Sequence, residues 1–445
     1  MSNTPTRRQV LATAAVTAAA AKFAPSTYAA SDETIRLALV GCGGRGSGAA
    51  GNALTVSNGP IKLHAMADLF DNRLKISHKS LSKRFGEQID VPDDRKYVGL
   101  DAYKAAIDTL RPGDVVLLTA YSYCRAQHME YAVNRGINVF MEKPFVPDPG
   151  TGQRMLKIGE LADKKNVKVA AGLMCRHSVA RQALIEKIRN GEVGDVLNVR
   201  AYRMWAGGAL GARPKTENEL LWQLRHRTGF FWAGSGDMIE MLIHQIDECC
   251  WIKDAWPVSC HGIGGRVPHS TDHGQCLDIY AMEYTFPDGT TATVDSRSIR
   301  GARYDFATYL HGTKCAAQFS GNVHAPTVRI FKNQHIDQPT ADNIAWAAPP
   351  EPSSPYDAEW RELLTAIRAD RPYNETRRAV YADFAAIMGR AACHINNTVT
   401  WDQVAKSNYK FCADVDSLTV DSPAPVHDDE QGFYPVPIPG KWSEL

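Results

Sequence analysis

Between residues 34 and 147 short apolar runs alternate with helical stretches. Ile35 to Val40 (IRLALV), Ile61 to Ala67 (IKLHAMA), Asp114 to Thr119 (DVVLLT) and Asn138 to Met141 (NVFM) are continuous and largely apolar. That is the pattern of parallel strands covered on both faces, not the in-and-out alternation of a half-exposed sheet. An amphipathic helix over Gln127 to Asn134 separates the last two runs. Strand and helix in repetition predict an α/β domain with a parallel sheet and right-handed crossovers.

Beyond Pro149 the pattern changes. A helical stretch from Gly152 to Lys164 leads to the run Val167 to Leu173, then to a helix ending near Asn190. Strand signals recur at Leu197 to Met204, Cys276 to Phe286, Thr290 to Ser296, Thr308 to Leu310 and Val328 to Phe331, with turns at 287–289 and 311–313. Tyr356 to Asp370 and Arg377 to Ile395 read as amphipathic helices. The last stretch, rich in Pro, Asp and Ser, predicts an irregular tail wrapped on its own surface or on an adjacent subunit. The expected organisation is a leader over 1–30, a first domain over 31–147, a second over 148–410 and a tail over 411–445.

Composition narrows this picture. At 445 residues the chain exceeds one ordinary core. Its 50 Lys and Arg balance 49 Asp and Glu and are dispersed, so nothing indicates a nucleic-acid groove or a polybasic membrane patch. None of the ten cysteines lies in a CxxC pair or at zinc-ligand spacing. Adjacent Cys249 and Cys250 diverge on a helix and do not suit a disulfide.

The leader carries Thr6-Arg7-Arg8-Gln9-Val10-Leu11, an alanine-rich run to Ala21, then Lys22, Pro25 and Tyr28-Ala29-Ala30. It resembles a twin-arginine export signal. The run is shorter than the ~20 apolar residues of a membrane span. The resemblance implies an exported, periplasmic protein that crosses folded with its cofactor loaded, and that has no membrane span after processing.

Gly41-Cys42-Gly43-Gly44-Arg45-Gly46 follows the first strand directly, and Gly41, Gly43 and Gly46 satisfy GxGxxG. These glycines suit a tight turn, a close approach to pyrophosphate and close helix packing, with the helix N-terminus aimed at the diphosphate. Asp68 ends the second strand roughly 20 residues further on, where a carboxylate can hold ribose hydroxyls. The fourth strand runs into Glu142-Lys143-Pro144.

Taken together, Gly41 to Gly46, Asp68, the Thr119 loop with His128, and Glu142-Lys143-Pro144 resemble the Gfo/Idh/MocA oxidoreductases. The resemblance implies a Rossmann dinucleotide-binding domain followed by an α/β domain with an open, mainly antiparallel sheet. It implies bound NAD held by Gly41, Gly43, Gly44, Arg45, Gly46, Asp68, Thr119, His128, Glu142 and Lys143. Lys143 would reach the substrate beside the nicotinamide, and the plain alternative for it is a surface lysine paired with Glu142. The resemblance also implies a homo-oligomer formed through the C-terminal sheet.

In the second domain Glu240, His244 and Asp247 stand at i, i+4 and i+7 on one helical face. The family pattern matches His244 and Asp247 and usually has Asp where this chain has Glu240. Asp237 reads as a possible helix cap. Hydride transfer from an alcohol needs a base and donors for oxyanion character. His244 suits the first role, Lys143 the second, and Glu240 would orient the imidazole or bind a neighbouring hydroxyl. Arg176 and Asp247 are expected at further hydroxyls or at the domain interface. His244 could instead be a satisfied helix–sheet histidine. A metal held by Glu240 and His244 is not expected, because the nicotinamide chemistry requires no ion.

The leading expectation is an NAD(H)-dependent oxidoreductase acting on a sugar, polyol or related carbohydrate, with a tightly bound, recycled cofactor. A redox-neutral NAD-dependent glycoside hydrolase and a non-catalytic sugar-binding protein are the alternatives.

Overall fold

Each of the four apolar runs of the first domain becomes a strand in the computed structural model, which describes residues 33–321 and 327–445. The twin-arginine stretch lies outside them. In chain order the first layer holds β1 (Ile35–Val40), α1 (Gly44–Thr55), β2 (Ile61–Asp68), α2 (Asp71–Phe85), β3 (Lys96–Val98) and α3 (Ala102–Asp108). It continues through β4 (Val115–Leu118), α4 (Ser122–Asn134), β5 (Asn138–Met141), α5 (Pro149–Lys164) and β6 (Val169–Ala171). The strands pair in parallel in the order β3-β2-β1-β4-β5-β6. β1, β4 and β5 are almost wholly buried, as their unbroken apolar runs require.

Two details differ from the sequence expectation. The strand within Val167 to Leu173, expected in the second domain, pairs with β5 and so extends the first sheet past residue 147. Helix α4 begins at Ser122 rather than near Gln127, and its first turns bury Ser122, Arg125 and His128. Polar residues on the buried face hid the helical period there.

The second layer follows with α6 (Val179–Arg189), β7 (Val196–Trp205), α7 (Glu219–Arg225), the one-turn α8 (Phe231–Gly234) and α9 (Asp237–Lys253). Then come β8 (Ser259–Gly265), β9 (Ile279–Thr285), β10 (Thr291–Ser298), β11 (Asp305–Gly312), β12 (Ala316–Gly321), β13 (Arg329–Phe331) and β14 (Ile344–Ala347). The chain closes with α10 (Pro355–Arg368), α11 (Thr376–Ile395), β15 (Thr398–Thr400) and α12 (Trp401–Lys406). The nine-stranded sheet has the order β14-β13-β12-β11-β7-β10-β9-β8-β15. It is antiparallel except where β7 and β10 pair in parallel. The expected class is therefore observed: a parallel α/β layer joined to an open, mainly antiparallel sheet.

Burial alternates along β9 and β10. The inward residues face α9 and α11, while Ile263, 61 % exposed, and Ile279, 41 % exposed, point the other way. Helix α11 is buried along nearly its whole length. Its small residues allow that, since a Cβ on Gly389 would lie 2.1 Å from the Tyr284 hydroxyl.

The tail from 411 wraps the chain's own surface. Arg154 Nη1 meets Asp416 Oδ2 at 2.6 Å near its start. Near its far end Glu444, 2 % exposed, takes Arg390 Nε and His394 Nδ1 at 2.9 Å each. Burial raises the Glu444 carboxyl, but Arg390 and His394 draw it down to about 2. Arg390 also donates to the carbonyls of Ser235 and Pro147, so this knot holds the crossing between the domains.

Candidate active site

The glycine loop is built by close backbone approach. Gly41 has φ +101, and a Cβ on it would lie 2.3 Å from Ala120 N. A Cβ on Gly46 would lie 2.0 Å from the Gly41 carbonyl oxygen. Thr119 Oγ1 donates to that same carbonyl at 2.5 Å, which locks the loop to the end of β4. By contrast, a Cβ on Gly43 or Gly44 would meet no atom within 4 Å. The loop is thus packed on one side and clear on the other, where the N-terminus of α1 supplies a positive dipole end.

Asp68 closes β2 with both carboxylate oxygens in use. Oδ2 accepts from Cys42 N at 2.5 Å and Oδ1 from Phe70 N at 2.7 Å. Burial raises its pKa, and the two amide bonds oppose the rise. Loop, Asp68, Thr119, Tyr121 and His128 line one cavity of about 520 Å³, within the range of small-ligand and cofactor sites. Its backbone-lined cradle, helix N-terminus and terminal carboxylate fit a dinucleotide. His128 stacks on Tyr103 at 3.9 Å, and burial and then Arg125 lower its pKa to about 3. It is a neutral wall residue at physiological pH.

Arg45 serves the loop in a way its spacing did not suggest. Its Nε lies 3.0 Å from Glu142 Oε1, its Nη2 donates to Asn52 at 2.9 Å, and its guanidinium sits 4.6 Å above the Tyr356 ring. Arg45 therefore ties the glycine loop to Glu142 and to α10. Buried Glu359 lies behind this group. Burial and then Glu142 push its carboxyl well up.

Lys143 turns the other way, toward the second domain. Its Nζ donates to the Glu240 carbonyl at 2.5 Å and lies 3.4 Å from Glu240 Oε1. It is not the surface lysine of the plain alternative: its side chain is 16 % exposed. Lys143 thus meets α9 at the first residue of the predicted face. His244, half-buried, stands one turn further on. Asp247 is buried and holds Arg176 in a two-pronged pair, with Nε to Oδ2 and Nη2 to Oδ1 both at 2.8 Å. That pair joins α9 to the segment after β6. Gly236, not Asp237, occupies the cap position of α9, and burial lifts Asp237 to about 7.

The expected residues therefore fall into two groups, one around the cavity and one along α9, joined by the consecutive Glu142 and Lys143. Among the described residues no cluster of three or more His, Cys, Asp or Glu is arranged to hold a metal.

One residue near this junction went unnoticed in the sequence. Arg125 is 2 % exposed and donates through Nη2 to the Ala120 carbonyl. Burial lowers it to about 10, and Glu142, Glu240 and Asp383 all act on it. It braces the Thr119 loop beside the Lys143–Glu240 contact. An arginine in a helix reads as a solvated position, so only the burial of the α4 face could have exposed it.

Residues 182–318 match the model of the GFO/IDH/MocA C-terminal domain. Among solved structures the chain resembles an aldose-aldose oxidoreductase from Caulobacter crescentus complexed with glycerol, at 17 % identity and TM-score 0.64, over 82 % of this chain and 99 % of that one. The chain has the Gfo/Idh/MocA oxidoreductase fold. A myo-inositol 2-dehydrogenase from Lactobacillus plantarum also shares it, with 17 % identity, TM-score 0.60, and 82 % and 99 % of the two chains covered. So does GenD2 from gentamicin A biosynthesis in complex with NAD, at 18 % identity and TM-score 0.60 over 82 % and 96 %. No curated protein sequence matches this chain. The cavity lies mainly in the parallel layer, and the α9 face falls within the residues that the C-terminal domain model matches.

Proposed function

We propose that the protein is an NAD(H)-dependent oxidoreductase that interconverts alcohol and carbonyl on a sugar, polyol or related carbohydrate. The observation that carries this reading is Lys143. It follows the strand beside the dinucleotide cavity, yet its ammonium reaches the Glu240 end of α9. When bound, the nicotinamide supplies a hydride acceptor and donor. The chain's own residues do the rest. Lys143 donates a hydrogen bond to the reacting oxygen, and His244 takes and returns its proton. Glu240 orients the pair, and Arg176, aligned by Asp247, faces the substrate's other hydroxyls. Asp68 favours NAD over NADP, because a 2′-phosphate beside its carboxylate would be repelled.

The leader suggests periplasmic export by the twin-arginine route, with the cofactor loaded beforehand and held through turnover. A held cofactor must be re-oxidised in place, either by a second carbonyl substrate, as in this reading, or by the same sugar after bond cleavage, as in the redox-neutral hydrolase. The open face bearing Ile263 and Ile279 suits a homo-oligomer built on the second sheet.

The test is to purify the protein without added cofactor and assay it against alditols, aldoses and glycosides in deuterated water. The expected result is retained NAD(H) and turnover without added dinucleotide. Deuterium incorporated beside the anomeric carbon of a glycoside would replace this reading with the redox-neutral hydrolase. Export is tested by changing Arg7 and Arg8 to lysine, which should leave unprocessed protein in the cytoplasm.

A further inference from the structure

The dinucleotide cavity is not made by the first domain alone. Leu224 and Arg227 line it as well, and both belong to the segment between β7 and α9. Arg227 holds its guanidinium 4.3 Å above the ring of Tyr121, the residue that follows Thr119 and Ala120. From the other side Arg73 Nη1 donates to the Tyr121 hydroxyl at 2.9 Å, and Arg73 Nη2 to the Arg225 carbonyl at 3.3 Å. Tyr121 is therefore gripped by one arginine from each domain.

The arginines around the cavity differ in how their charge is met. Arg45 has Glu142 at 3.0 Å, and Arg225, outside the cavity, has Glu217 at 3.4 Å. Arg227 makes no ion pair and donates no hydrogen bond to any described residue, although its Nε is buried. A buried guanidinium donor without an acceptor is costly. Asp68 does not answer it: its two oxygens accept the Cys42 and Phe70 amides, and the Arg227 guanidinium makes no ion pair with it. The position is also held firmly. Just upstream, Gln223 Nε2 donates to the Val426 carbonyl at 2.5 Å, and Glu219 Oε1 accepts from Asp428 N at 3.1 Å. The tail thus fixes the segment that carries Arg227.

We propose that Arg227 is a dinucleotide-binding residue contributed by the second domain, its guanidinium hydrogen-bonding phosphate oxygens of the ligand. Planar guanidinium groups match phosphate geometry in a way an ammonium does not. This proposal rests on the reading of the cavity as a dinucleotide site.

The experiment is calorimetric titration of the full chain, stripped of any dinucleotide, with NAD, NADP and phosphate-free adenosine. The parent, Arg227→Leu and Arg227→Lys are compared, with thermal melts to check folding. Arg227→Leu should bind NAD at least about tenfold more weakly, and its affinity should respond less to added salt. Adenosine binding should be unchanged, and Arg227→Lys should recover part of the loss. NAD affinity in Arg227→Leu within twofold of the parent would overturn the proposal, as would an equal loss for adenosine. Should Arg227→Leu fail to fold, Arg227→Gln is read by the same limits. A parent that binds neither dinucleotide would overturn the cavity reading itself, whatever the variants do.

Discussion

The cavity around the glycine loop and the face of α9 solve different problems. The cavity is built around a backbone cradle: amides, a helix N-terminus and glycines whose missing side chains let two segments touch. The α9 face is made of side chains that find partners across the domain crossing, with Lys143 on Glu240 and Arg176 on Asp247. A backbone site tolerates little change in shape. A side-chain site tolerates little change in charge. That difference teaches which substitutions should separate binding from chemistry.

The largest effect is expected on the α9 side. Lys143→Met and His244→Ala should each lower turnover by about 100-fold or more, the scale of general acid–base groups. Dinucleotide content and melting temperature should stay near those of the parent. Loss of bound dinucleotide in either variant would merge the two regions.

Gly46→Ala should do the reverse. Its Cβ would sit 2.0 Å from the Gly41 carbonyl oxygen, so the loop must move. Titration should show NAD affinity lowered by about tenfold or more, at a cost of about 1–3 kcal/mol in stability from overpacking. Unaltered affinity would mean that the loop does not hold the ligand.

The knot that joins the two regions can be tested through pH. Glu444→Gln removes one partner of a buried ion pair and should cost about 3–5 kcal/mol, read by chemical denaturation at pH 7. Glu444 sits at about 2 when folded and near ~4.3 when unfolded. Its contribution is therefore complete above the unfolded value and is lost as pH falls through 4.3 toward 2. Asp237 and Asp383, lifted by burial to about 7, work in the opposite direction as pH falls. The difference between parent and Glu444→Gln isolates the first term, and it should shrink at pH 3.

The smallest effect is one of selectivity. Asp68→Asn should narrow the preference for NAD over NADP by about tenfold, because one carboxylate charge no longer opposes the 2′-phosphate. A parent that binds NADP as tightly as NAD would show that Asp68 does not discriminate.

The legibility of the two regions follows from the same contrast. Gly41, Gly46 and Asp68 could be read because strand ends, tight turns and close approaches leave residue types at fixed intervals. Glu240, His244 and Asp247 were visible because a helix puts them on one line. What escaped depended on partners far away in the chain. Arg45 is answered by Glu142, Arg227 meets Tyr121, and Glu359 feels Glu142 across more than 200 residues. Strand β3, short and half-exposed at the sheet edge, left too weak an apolar signal to be placed. The run that becomes β6 was visible, but its sheet was not, since an apolar run does not declare its neighbour.

The tail has almost no regular secondary structure, yet its backbone is not idle. Phe411 N donates to Asp148 Oδ2 at 3.0 Å, Asp428 N to Glu219 Oε1 at 3.1 Å, and Tyr434 N to the His273 carbonyl at 2.9 Å. Each acceptor belongs to the folded body. In deuterium exchange these three amides should behave like core amides, opening only when the body itself opens. Exposed tail amides such as that of Val420 should exchange at once. A segment without helix or strand would then serve as an internal gauge of how firmly the whole molecule stays closed.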